Sequence, residues 1–86
     1  MTSIGDVAKL GVMRKESFGS RIRRARDAKG LTATELSVRA GLARGHLWFL
    51  ETDKRPNPAA STVFALASAL EVTPEWLLTG AGKAHP

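Results

Sequence analysis

The chain has 86 residues, no cysteine, 43% hydrophobic residues and a formal net charge of +5. That length suits one domain with a small core, and the lack of cysteine excludes a disulfide frame, a thiolate nucleophile and a cysteine-based zinc site. No apolar run approaches the roughly 18 residues of a membrane span and residues 1–16 lack the apolar stretch of a secretory signal, so a cytoplasmic protein without membrane contact is expected.

Residues 1–16 mix Gly5, Gly11 and scattered apolar positions without a clean period, which predicts a flexible N-terminal arm outside the core. The first helix is expected from Ser17 or Phe18 to Lys29, with Phe18, Ile22 and Ala25 on one stripe and Gly30 as its stop. Arg14 to Lys29 carries seven basic and two acidic residues, so the whole net excess lies in this segment. Such a block attracts polyanions by counterion release, nucleic acid above all; a solvated arginine face fits the same composition.

Thr32 and Glu35 have the spacing of a capping box and predict the start of the second helix. Leu36 and Ala40 face inward, and Gly41 is placed to take the left-handed conformation of a sharp turn. A third helix from about Arg44 to Glu51 places Ala43, Leu47 and Leu50 on its inner side, with Gly45, Trp48 and Phe49 outward and Arg44 and His46 on the flanks. Two short helices joined at a tight glycine turn have the layout of a helix-turn-helix, which fits the DNA major groove.

Asp53 to Pro58 is a polar loop with Lys54, Arg55 and two prolines. A fourth helix from about Ala60 to Leu70 buries Val63, Leu66, Ala67 and Leu70. The fifth opens with Thr73 as N-cap and Pro74 in its first turn, carries Trp76, Leu77 and Leu78, and stops at Gly80. Residues 81–86 are expected to fray. Nowhere do apolar and polar residues alternate over β-branched positions, so the fold class is all-α: a compact five-helix bundle whose domain spans residues 17–80.

Catalysis has little to work with. The histidines are His46 and His85, and there is no HExxH motif, no glycine-rich phosphate loop and no carboxylate pair in a plausible cleft. A lone His46 without a second nitrogen or sulfur ligand nearby is not a metal site. No enzyme activity, metal or cofactor is expected.

From Phe18 to Gly80 the chain resembles the phage-repressor and Cro-like helix-turn-helix family, also called the XRE family, and in particular the DNA-binding domains of lambdoid phage repressors. The resemblance is carried by Arg26, Gly30 and Leu31; by Thr32, Glu35, Leu36 and Gly41; by Leu47, Leu50 and Glu51; by Lys54, Arg55, Pro56 and Pro58; and by the LASALEVTPEWLLTG segment from Leu66 to Gly80. It implies a lambda-repressor-like domain that binds double-stranded DNA as a homodimer and regulates transcription, most often as a repressor. The base-contacting positions it implies are Arg44, Gly45 and Phe49, with Ala43, His46 and Trp48 beside them. Arg44 suits the O6 and N7 of guanine; a phosphate contact or a solvated arginine are its alternatives. Phosphate contacts fall on the amides of Thr32 and Ala33 and on Thr52, Lys54 and Arg55. Arg26 pairs with Glu51 in the family pattern, locking the first helix to the third and leaving guanidinium donors near the DNA backbone.

The chain also departs from the family pattern. Ala33 replaces a usual glutamine, and Ala43 replaces the usual serine or threonine cap of the recognition helix. The outward Trp48 and Phe49 admit three readings: contact with a thymine methyl and the sugar-phosphate wall, a protein-binding patch as in an antitoxin or accessory regulator, or a ring folded back on the core or arm. Dimerisation falls on Trp76, Leu77 and Leu78, of which Trp76 and Leu77 also fit the monomer core. A chain ending six residues after Gly80 leads to the expectation of a small Cro-like regulator without a self-cleaving C-terminal domain.

Overall fold

A computed structural model describes residues 16–54 and 57–85. The expected N-terminal arm, Glu16 apart, lies outside the described residues, as do Arg55, Pro56 and Pro86. Two serines start the first helix, α1 (Phe18–Ala28). The Ser17 hydroxyl accepts from the Ser20 amide at 3.2 Å, and the Ser20 hydroxyl accepts from the Ser17 amide at 2.8 Å. Two amides that a helix start would leave without partners are thereby satisfied.

The second helix, α2 (Ala33–Ala40), begins with the Thr32–Glu35 capping box, whose bonds measure 2.8 and 3.0 Å. Gly41 ends it at φ +70°, where a β-carbon would be strained, and the chain turns there into α3 (Arg44–Glu51). The helix α3 has no side-chain cap, because Ala43 offers no acceptor. Then come α4 (Ala60–Leu70) and α5 (Pro74–Thr79), the latter capped by the Thr73 hydroxyl accepting from the Trp76 amide at 3.2 Å. No strand occurs among the described residues, and the bundle is all-α.

Ile22, Leu36, Leu47, Leu50, Leu66, Leu70 and Leu77 are fully buried, so every helix contributes at least one side chain to a single core. Burying an aliphatic side chain of this size stabilises by about 1.5–3 kcal/mol. The helix α1 packs on α3, α4 and α5, while α2 packs on α3 and α4. The helix-turn-helix pair therefore rests on a platform formed by α1 and α4.

Three expectations are corrected. Ala43 is exposed rather than inward, because it is the extended residue before the helix (φ −70°, ψ 149°), where helical periodicity does not yet apply. The tail does not simply fray: the Thr73 amide donates to the Ala84 carbonyl and the Thr73 hydroxyl to the Lys83 carbonyl, both at 2.7 Å, folding residues 81–85 back on the α4–α5 turn. Arg21, counted in the basic block, is buried. Its Nε donates to the Leu77 carbonyl at 2.8 Å and its Nη2 to that of Leu78 at 2.7 Å, which satisfies the carbonyls that end α5.

Candidate nucleic-acid interface

The C-terminal end of α3 is fixed by its seat on α1. Arg26 Nε donates to Glu51 Oε2 at 2.9 Å and Nη2 to Oε1 at 3.3 Å, a two-pronged arrangement that holds the carboxylate in one plane. Two residues past this end, Asp53 adopts φ +61°, a conformation that aspartate tolerates better than most residues. In that conformation its carboxylate reaches the start of α1, accepting from the Ser17 hydroxyl at 2.6 Å and the Gly19 amide at 3.0 Å. A negative charge there also complements the helix dipole. Gly19 allows this approach: a β-carbon on it would stand 2.5 Å from the carbonyl oxygens of Leu50 and Glu51.

At the other end, Arg44 Nη1 donates to the Thr34 hydroxyl at 2.6 Å, joining the first turns of α2 and α3. The Leu42 amide donates to the Ser37 carbonyl at 2.8 Å and closes the turn between them. Between these fixed ends α3 presents Gly45, Trp48 and Phe49 to solvent, with Trp48 54% and Phe49 40% exposed. The two rings meet edge to face, with centroids 5.2 Å apart and planes at 69°. Arg44 is exposed and His46 half-buried on the flanks of this surface.

The structure redistributes the residues expected at phosphates. The Thr32 amide already donates to the Glu35 carboxylate, so it has no hydrogen left for an anion; that bond is also the main cause holding the Glu35 carboxyl below its ordinary value. The Thr52 hydroxyl donates to the Trp48 carbonyl at 2.8 Å and its amide to the same oxygen at 3.0 Å, which removes its donors as well. Arg26 commits Nη1 to the Leu31 carbonyl besides its bonds to Glu51, and its side chain is only 15% exposed, so three of its five N–H donors serve as a lock within the fold. Lys54 is exposed with no ion-pair partner among the described residues, and Arg55 lies outside them.

Much of the basic block serves the fold in the same way. Arg24 bonds Glu16 at 2.7 Å and lies over the Trp76 ring, and Lys29 bonds Glu71 at 3.0 Å, which lowers the Glu71 carboxyl. With Arg21 buried and Arg26 locked, the basic excess of α1 is not one continuous surface for a polyanion.

On the expected dimer face, Leu77 is fully buried in the monomer and Trp76 packs on the core, while Leu78 is 46% exposed. Leu77 therefore cannot meet a partner, because the stripe that points it inward is fixed by α1 and α4. Phe64 on α4, 60% exposed, was not expected. It lines an apolar groove with Leu78, Pro58, Val63 and Pro74. The only trace of it in the sequence is an aromatic left over once Val63, Leu66, Ala67 and Leu70 fill the inner face of α4.

Comparison with known proteins agrees with this geometry. A family model described as a helix-turn-helix domain matches residues 19–83. The HTH-type transcriptional repressor RghR of Bacillus subtilis is 34% identical over 67 residues, covering 78% of this chain and 50% of RghR; the chain thus spans about half the length of that relative. The restriction-modification controller protein C.AhdI from Aeromonas hydrophila superposes with a TM-score of 0.67 at 36% identity, over 71% of this chain and 91% of that one. The P22 c2 repressor, solved with a synthetic operator, superposes at 0.72 with 25% identity, over 78% of this chain and all of that one (100%). The chain belongs to the helix-turn-helix domain family of the phage-repressor (XRE, Cro/C1) type, whose members are DNA-binding transcriptional regulators.

Proposed function

We propose that this chain is a sequence-specific DNA-binding transcriptional repressor of the cytoplasm, binding an inverted-repeat operator as a homodimer. The observation that carries the proposal is the exposed outer face of α3, held at both ends by Arg26–Glu51 and Arg44–Thr34 and bracketed by the cations Arg44 and Lys54. RghR is named a transcriptional repressor and the P22 c2 repressor is seen with an operator, which supports the same role here. In this role α3 enters the major groove. Arg44, Gly45 and Phe49 meet base edges, with Ala43, His46 and Trp48 alongside, and Arg44 keeps donors beyond its Thr34 bond for guanine.

Lys54, Arg55 and the Ala33 amide orient the protein on phosphates. Ala33 is the first residue of α2 and its amide has no acceptor among the described residues, so it is an unpaired donor at the positive end of the helix dipole. Leu78, Trp76 at its exposed edge and Phe64 form the homodimer surface, which sets two α3 helices one duplex turn apart.

The exposed Trp48–Phe49 pair also suits an antitoxin-like or accessory module that binds a protein partner. The bracketing cations favour DNA. A gel shift with the DNA upstream of the chain's own gene separates the two: one fragment retained against excess bulk DNA at moderate salt is expected, and equal affinity for all fragments contradicts the repressor assignment.

A further inference from the structure

A cavity of about 320 Å³ opens between the C-terminal half of α1, the turn from α4 to α5 and the tail, and none of the described residues that border it belongs to α2 or α3. The tail creates it. Besides the two bonds at Thr73, His85 Nδ1 donates to the Glu71 carbonyl at 3.3 Å, which fastens the tail to the α4–α5 turn. Ala84 and His85 thereby close one side. The alanine is too short to fill the space in front of Leu70, Val72 and Trp76, so an apolar wall stays uncovered within the monomer.

The rim of this wall is basic. Among the described residues Arg24, Lys29 and His85 border the cavity, and no carboxylate does. The Arg24 guanidinium stands 5.7 Å from the centre of the Trp76 ring, which puts a cation directly at the aromatic wall. Arg24 gives one N–H to Glu16 and Lys29 gives one to Glu71, so both keep donors without a partner among the described residues. An apolar wall under a cationic rim suits a small organic acid: its body displaces water from the wall, and its charge sets the orientation.

We propose that this cavity is a binding site for a small apolar carboxylate, an aryl- or alkyl-substituted acetate in kind. Its carboxylate lies on Arg24 and Lys29 and its body against Leu70, Val72 and Trp76. The volume is at the lower end of the range for small-molecule sites, about 300–1,000 Å³, and so suits a single ring or a short chain rather than a nucleotide. A second copy of this chain is a poorer occupant, because a protein of net charge +5 brings its own cations to a basic rim. The bound acid joins α1, α5 and the tail, and stabilises the fold by mass action. The site does not depend on what α3 touches.

The test follows the isotopically labelled full chain by NMR at neutral pH with phenylacetate, octanoate and the neutral phenylacetamide as probes. Both acids should shift the amide signals of Val72, Trp76 and Ala84 saturably, and the Trp76 indole signal with them, while the Trp48 indole on α3 stays still. Phenylacetamide has the same body without the charge and should bind about ten-fold more weakly. Arg24→Gln combined with Lys29→Gln, checked by circular dichroism for an intact fold, should weaken phenylacetate about five-fold or more and leave phenylacetamide unchanged. Absence of these shifts with both acids up to about 20 mM overturns the site. Equal affinity for acid and amide does the same. Trp76 and Ala84 signals that move with protein concentration alone assign the cavity to a second copy of the chain, and also overturn it.

Discussion

Gly19 lies directly against the carbonyl of Leu50, so close that a β-carbon would stand 2.5 Å from its oxygen. Backbone forms both sides of this contact, and no rotamer change can relieve a clash. Gly19→Ala must push α1 away from the end of α3 and strain the Asp53 cap at the same helix start. The expected cost is about 2–3 kcal/mol, a fall in Tm of roughly 10 °C or more for a domain this small. Thermal unfolding followed by circular dichroism measures it; an unchanged Tm contradicts the contact.

Gly45 predicts the opposite. It sits on an exposed helical face with nothing near its missing side chain, so Gly45→Ala stabilises the helix by about 0.5–1 kcal/mol. If the backbone must approach base edges at this point, the same methyl weakens specific DNA binding by about ten-fold. Paired measurements of Tm and Kd check both signs. A variant both more stable and equally tight on DNA shows that Gly45 does not approach the duplex.

The Arg26–Glu51 pair is largely shielded, with side chains 15% and 9% exposed. Removing one partner leaves the other with unmet bonding capacity, so Glu51→Ala is expected to cost about 2–4 kcal/mol in urea denaturation. The double variant Arg26→Met with Glu51→Leu recovers part of that loss, because two apolar side chains leave no charge behind. Additive losses in the double-mutant cycle contradict a direct lock between α1 and α3.

The Glu35 carboxyl, held below its ordinary value chiefly by the Thr32 amide, gives the helix-turn-helix an acid sensitivity. A folded-state value below the unfolded one means the cap's stabilisation is present above the unfolded value and lost as pH falls through the folded value. Glu71, lowered by Lys29, acts with the same sign. Urea midpoints from neutral pH to below 4.5 should therefore fall less steeply for Glu35→Gln than for the unaltered chain; equal slopes contradict the cap's share.

What the sequence revealed and what it concealed divide along physical lines. Local signals were legible: the Thr32–Glu35 box, the Gly41 turn, Pro74 after a threonine cap, and the period that buries Leu47 and Leu50 all act within a few residues of each other. Contacts between distant segments were not, apart from the Arg26–Glu51 pair, which the family resemblance implied. Nothing in the neighbourhood of Gly19 announces the carbonyls of Leu50 and Glu51, and Asp53 reads as a loop residue until its positive φ turns its carboxylate toward Ser17. Arg21 counts as surface charge until α5 supplies the carbonyls that bury it. At the candidate site, the residues of α3 follow from periodicity. The loss of Thr32 and Thr52 as phosphate donors depends on which nearby atom claims each hydrogen first.

The central claim, that α3 reads bases while the loop after it grips the backbone, is tested most directly by comparing Arg44→Ala with Lys54→Ala across a salt series. Each is titrated against the duplex that the chain selects from a random pool and against bulk DNA. Arg44→Ala should lose about 1–3 kcal/mol on the selected duplex, relax preference at one base pair per half-site and change bulk binding little. Lys54→Ala should weaken both DNAs alike and make the salt dependence shallower by about one counterion. Equal effects of the two substitutions on selected and bulk DNA would contradict the account.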